Sequence, residues 1–183
     1  MDQRFFTGDK LIGLSALFVS LLTLMVFIYQ TNLIRKQQFM AVYPHLNLIN
    51  NNSWSLNYKY VLENEGVGPA FIRSIEAREL NGTTYEGLNQ LVDAKLNEED
   101  SVWVHYSDIY PGKLISAGEE IILFGLSDEA YTNSVGLPPN TLEGADKLRR
   151  IFNSDSLEIE IVYESIYGER WSVFNHSLSP EKH

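Results

Sequence analysis

The sequence predicts a mainly β protein in which one N-terminal transmembrane helix precedes an antiparallel β-sandwich with two short helices in its connections. Three observations carry this. Residues Leu11 to Tyr29 form a charge-free apolar run, the chain beyond it alternates apolar and polar side chains with the period of strands, and only two short segments show helical spacing. The expected division is residues 1–40 for the N-terminal tail, span and helical stalk, and residues 41–183 for the sandwich. Roughly 145 residues after the anchor suffice for one hydrophobic core and are too few for two.

As a helix rising 1.5 Å per residue, Leu11 to Tyr29 comes close to the ~30 Å thickness of the bilayer's hydrocarbon layer. A cleaved signal peptide and a buried core helix are the competing readings. A signal peptide has an apolar core of about 7–15 residues and an Ala-x-Ala-like cleavage site. Here the core is longer, Gln30 to Gln38 offers no such site, and helix-forming residues continue to Met40. An uncleaved anchor is therefore favoured, touching the lipid bilayer through Leu11 to Tyr29, with Phe5, Phe6 and Tyr29 suited to the interfaces. Ser15, Ser20 and Thr23 are expected to bond back to helix carbonyls. The small-xxx-small pair Ala16 and Ser20 permits a homo-oligomer through the span. Arg4 and Lys10 before the span nearly balance Arg35 and Lys36 after it. Because the latter pair is adjacent, the expected side for the domain is the cytoplasm.

Charge divides the chain unevenly. Residues 1–38 carry Arg4, Lys10, Arg35 and Lys36 against Asp2 and Asp9, so of the net −10 the remainder holds −12. A domain this acidic is repelled by phosphate backbones and anionic headgroups, which disfavours nucleic-acid binding and flat membrane docking without a local basic patch. Lys147, Arg149 and Arg150 form the one basic cluster, expected to end a helix where cations complement the dipole.

Leu56, Tyr58, Tyr60 and Leu62 alternate with Asn57, Lys59 and Glu63, a half-buried strand in which Val61 interrupts the polar face. Leu157, Ile159, Ile161 and Tyr163 alternate with Glu158, Glu160 and Glu164 in the same way. Val102, Val104 and Tyr106 repeat the pattern, as do Leu46 and Leu48 beyond Pro44. Ile121 to Leu126 is a continuous apolar run that suits a strand covered on both faces. With Ala70 to Ile75 and Arg170 to Phe174, about seven strands emerge, and the turn signals between them favour a sandwich. Helical spacing marks Leu88, Leu91, Val92 and Leu96, and again Leu142, Ala145, Leu148, Ile151 and Phe152, the second run opening with Asn140-Thr141-Leu142-Glu143 as a capping box.

Sites for chemistry are sparse. The chain has no GxxxxGK[ST] loop, no HExxH, no GxSxG and no cysteine, so neither a disulfide framework nor a thiol nucleophile is available. His45, His105, His176 and His183 lie far apart, and the clusters Glu98-Glu99-Asp100 and Glu119-Glu120 lack the order of a calcium loop. No catalytic residue, cofactor or metal is expected. Asn64 to Ala70 is glycine-rich, but Pro69 and a strand follow where a dinucleotide fingerprint needs a helix. Gly66 and Gly68 are expected instead to supply positive φ angles in a tight connection. Tyr163 to Trp171 reads as a hairpin with Gly168 in the left-handed position.

Taken together, the span running into LIRKQQ, the P-x-L strand opening (Pro44, Leu46), the N-x-G-x-G-P-A turn (Asn64 to Ala70), the A-G-E segment (Ala117 to Glu119) and the Y-x-S-x-Y-G-x-x-W hairpin resemble a widespread set of small uncharacterised bacterial membrane-anchored proteins. What the resemblance implies is architecture, an immunoglobulin-like sandwich on a stalk in the bacterial inner membrane, and it brings no activity. Two functions are expected from this reading. The first is a non-enzymatic binding or scaffold protein, with Trp54, Trp103 and Tyr110 as candidate contacts for a protein partner. The alternative is an oligomerising membrane effector or sensor in a bacterial stress or anti-phage system, motivated by the helix that continues from the span through Asn32 to Met40.

Overall fold

The computed structural model describes residues 8–51, 58–96, 104–126 and 141–183. The chain forms two compact units, Met1–Ala41 and Val42–His183. The first contains α1 (Gly8–Met40), one unbroken helix of 33 residues, long and apolar enough to cross a membrane, with no buried residue. The absence of buried residues along α1 contrasts with a core helix, which buries its apolar face. Its polar residues behave as their spacing predicts. Ser15 Oγ, Ser20 Oγ and Thr23 Oγ1 donate to the carbonyls of Ile12, Ala16 and Val19 at 2.9, 2.8 and 2.8 Å, so each of these three hydroxyls is paired within the helix. Phe5 and Phe6 lie outside the described residues.

The second unit is built from antiparallel sheets. Its strands are β1 (Leu46–Asn51), β2 (Lys59–Asn64), β3 (Ala70–Glu79), β4 (Thr84–Tyr85), β5 (Val104–Tyr106), β6 (Leu114–Ile115), β7 (Glu120–Leu126), β8 (Leu157–Glu164), β9 (Arg170–Phe174) and β10 (Glu181–Lys182). One sheet has the order β1-β2-β7-β5. The other runs β10-β9-β8-β3-β4, with β6 also paired to β3. Every pairing is antiparallel, as expected for strands joined by short connections. The two sheets share one apolar core that includes Leu46, Leu62, Ile72, Ile75, Leu123, Ile159, Ile161 and Tyr163. Helices α2 (Leu88–Lys95) and α3 (Thr141–Phe152) occupy connections, so three helices and two sandwich-like sheets are present among the described residues.

Most strands follow their sequence pattern. β8 buries Leu157, Ile159, Ile161 and Tyr163 and turns its glutamates outward, and β7 is buried at Ile121, Leu123 and Phe124. β2 departs from expectation. The expectation is a half-buried strand, yet Tyr60, Val61 and Leu62 are all buried; the register with β7 shifts between Tyr60 and Val61, where Leu123 is the extra residue on β7. That bulge breaks the two-residue alternation of β7, where the successive residues Leu123 and Phe124 are both buried. On this sheet Phe152 of α3 stacks on Tyr60 and Phe124, which are cross-strand partners, at centroid distances of 4.6 and 5.2 Å. The Tyr60 hydroxyl is buried without a hydrogen-bond partner, so burial pushes its pKa up and the ring is held by stacking.

The strands β4, β6 and β10, two residues each, were not legible as strands. The basic cluster does end a helix: Arg149 and Arg150 lie in the last turn of α3, each paired with Asp146. Asn140, the expected cap of α3, lies outside the described residues, as do Leu56, Asn57, Val102 and Glu98-Glu99-Asp100.

Candidate interaction site

Strand register brings one end of the sandwich together from six separate segments. The start of β1 faces the end of β2 (Leu46 opposite Asn64), the end of β2 faces the start of β7, and the start of β3 faces both β6 and the end of β8. The chain crosses between sheets twice here, from β2 to β3 and from β6 to β7. Buried Asn64 joins these crossings. Its Oδ1 accepts from the backbone N–H groups of His45 and Gly66 at 3.2 and 3.1 Å. Its Nδ2 donates to the carbonyls of Gly68, Ile115 and Ser116 at 2.9, 3.2 and 3.1 Å. The backbone of Asn64 adds a bond from Gly118 N–H at 2.8 Å and one to the Glu119 carbonyl at 3.0 Å. Glu119 holds the second crossing by accepting from Ser116 N–H at 2.7 Å.

Gly66 and Gly68 serve this node differently from the expectation. Neither is among the positive-φ glycines, which are Gly82, Gly87, Gly112, Gly118 and Gly168. Their role is close backbone approach. A Cβ on Gly66 would lie 2.4 Å from both His45 N and Tyr43 O, and one on Gly68 only 1.9 Å from Val42 O. The segment Val42–His45 lies against the turn, bonded from Glu65 N–H to His45 O at 2.8 Å and from Val67 N–H to Tyr43 O at 3.0 Å. Beside it, Tyr43 meets Trp171 edge-on at 5.4 Å, Trp171 stacks on Tyr163 at 5.8 Å, and the Lys182 ammonium lies 5.5 Å from the Trp171 ring. The motifs that looked like unrelated turn signatures therefore meet at one place. The hairpin turns as expected, with Gly168 at φ 80°.

Of the three aromatic candidates, Trp54 and Trp103 lie outside the described residues, while Tyr110 is 58% exposed. A type II turn explains how Tyr110 is presented. Pro111 and Gly112 are its central residues, Gly112 has φ 94°, and Lys113 N–H donates to Tyr110 O at 3.0 Å. Gly112 N–H bonds Ile72 O at 2.7 Å and Ile72 N–H bonds Lys113 O at 2.9 Å, fixing the turn to β3. Lys113 Nζ reaches the Asp108 carbonyl at 2.9 Å, and the Asp108 carboxylate accepts from the Asn89 amide on α2.

Between this segment and the start of α2 lies a cleft of about 210 Å³. Ile75, Leu123 and Phe124 line it from the core, Leu88 and Ile109 from the sides, and Glu86 and Ser107 add polar groups. Small-molecule sites usually measure ~300–1,000 Å³. The cleft is thus sized for one side chain of a partner rather than for a cofactor. Sequence reading singled out Tyr110 but missed the cleft, which only tertiary pairing of residues 75, 88, 109 and 123 creates.

No family model, curated protein or solved structure matches this chain.

Three of the four histidines serve separate contacts. His45 lies beside Tyr43, His176 Nε2 lies 2.7 Å from Leu157 O, and His183 Nε2 lies 2.7 Å from Ser172 Oγ. Among the described residues no group of three or more potential ligands is arranged to hold a metal ion.

Proposed function

We propose that this protein is a membrane-anchored, non-enzymatic binding or scaffold module with an immunoglobulin-like sandwich, held at a bacterial inner membrane by α1, with its domain on the cytoplasmic side. The observation that carries the reading is the exposed Tyr110, presented on a turn bonded to β3 next to a cleft of side-chain size. An aromatic ring with two rotatable bonds on a rigid turn loses little entropy on contact, and a pre-formed cleft takes a partner's anchor residue at low reorganisation cost. Anchoring confines the module to the membrane surface and raises its effective concentration toward partners held there. The Arg35-Lys36 pair supports the cytoplasmic side.

A photoreactive amino acid placed at Tyr110 in the full chain tests the contact. Adducts are expected at position 110 and not at Leu178, a still more exposed control on a different connection. Equal labelling at both positions, or none at 110, removes the contact site.

A further inference from the structure

Building on the contact site proposed above, we propose that the cleft beside Tyr110 receives a cationic side chain, lysine or arginine, from a protein partner. Depth and mouth of the cleft differ in chemistry. Ile75, Leu88, Leu123 and Phe124 line it and are all buried, so its depth is apolar. Glu86 also lines it but is exposed, which puts this residue at the mouth. Lysine and arginine match that gradient, since their methylene stems lie along apolar surface while the charged head stays at the water boundary. A neutral apolar side chain would fill the depth and leave the carboxylate unused, and an acidic one would be repelled by it.

The sign of the field follows from the groups around the cleft. Glu86 is the one charged residue among those that line it. Its backbone N–H donates to Gln90 Oε1 at 3.2 Å, whereas its carboxylate has no partner among the described residues. The opposing contribution comes from α2, whose first turn borders the cleft and whose N-cap, Gly87, supplies no side-chain cap. A helix N-terminus acts as roughly half a positive charge, so the full charge of Glu86 outweighs it.

Neighbouring groups add to the negative side. The Asp108 carboxylate accepts from the Asn89 amide, and Asp93 stands one turn along α2 from Asn89. Lys113 is already bonded through Nζ to the Asp108 carbonyl, and Lys95, in the last turn of α2, is paired with Glu79. With that last pair set aside, Glu86, Asp93 and Asp108 face Lys113 alone among the described residues of this region. Farther out, the net −12 carried beyond residue 38 raises the local concentration of a basic partner.

Three probes that share a short apolar stem and differ in head charge, n-butylammonium, 1-butanol and butanoate, test the occupant. Each is titrated into the full chain in lipid nanodiscs while the methyl resonances of Ile75, Leu88, Ile109 and Leu123 are followed. n-Butylammonium is expected to half-saturate the shifts at a concentration about two- to fivefold below that of 1-butanol, the range an exposed ion pair supplies, with butanoate the weakest. In Glu86→Gln that preference is expected to vanish while the response to 1-butanol stays the same. Equal half-saturation by n-butylammonium and 1-butanol, or a preference that survives in E86Q, overturns the cationic occupant and leaves the contact site standing. Absence of shifts with all three probes overturns the contact site as well.

Discussion

Alanine at Gly68 is expected to destabilise the domain by about 3–4 kcal/mol, near the upper end for a single substitution, and to lower its melting temperature by roughly 10 °C. The new Cβ would lie 1.9 Å from the Val42 carbonyl oxygen and 2.3 Å from its carbon, and those atoms belong to backbone that cannot rotate aside. The Val42–His45 segment must move, and with it the bonds from Val67 and Gly68 N–H to Tyr43 O. Gly82→Ala is the control. Gly82 has φ 90° but open space around it, so alanine there adds backbone strain alone, about 1 kcal/mol. Thermal unfolding of the full chain in lipid nanodiscs, followed by tryptophan fluorescence, separates the two. Similar shifts for both variants would mean that Gly68 is not packed as described.

Asn64→Ala is expected to cost a similar amount, about 3–4 kcal/mol, for a different reason. Alanine leaves three carbonyls and two N–H groups at the node without their side-chain partner, and a buried unsatisfied group costs about 1–3 kcal/mol before relaxation. Asn64→Asp adds a signature in pH. The carboxylate keeps the acceptor facing His45 and Gly66 but turns an acceptor toward the carbonyls of Gly68, Ile115 and Ser116. Burial and those carbonyls raise its folded pKa above the unfolded value near ~4. A raised folded pKa stabilises below the unfolded value, and the contribution is lost as pH rises through the folded one. The stability gap between N64D and the native chain should therefore narrow as pH falls toward ~4 and widen at neutral pH. A gap that does not change with pH would remove the donor role assigned to Nδ2.

What the sequence shows and what it hides divide along physical lines. β8 was legible because one face is buried and the other wet, so Leu157 to Tyr163 carry their own period. β2 is harder to read because it is buried on both faces, so an apolar Val61 stands where a half-buried strand carries a polar side chain. Short strands such as β6 are defined by the partner that receives them, here Ala70 and Phe71, and carry no local pattern. Gly66 and Gly68 were recognised as necessary, but the reason was mistaken. A glycine needed for a close neighbour and one needed for positive φ look alike in sequence, and only the position of Val42–His45 tells them apart. Tyr110 was legible as a candidate contact aromatic, whereas its type II turn and the cleft beside it depend on pairing with residues far apart in the chain.

The most direct test of the account is alkaline carbonate extraction of membranes bearing the full chain, with the intact mass of the recovered protein measured alongside. An uncleaved chain that stays in the membrane pellet, and that becomes soluble when Leu11 to Tyr29 is deleted, is the expected result. A carbonate-soluble protein shortened by cleavage after the apolar run would contradict it, because α1 would then be a signal peptide and no anchored module would exist.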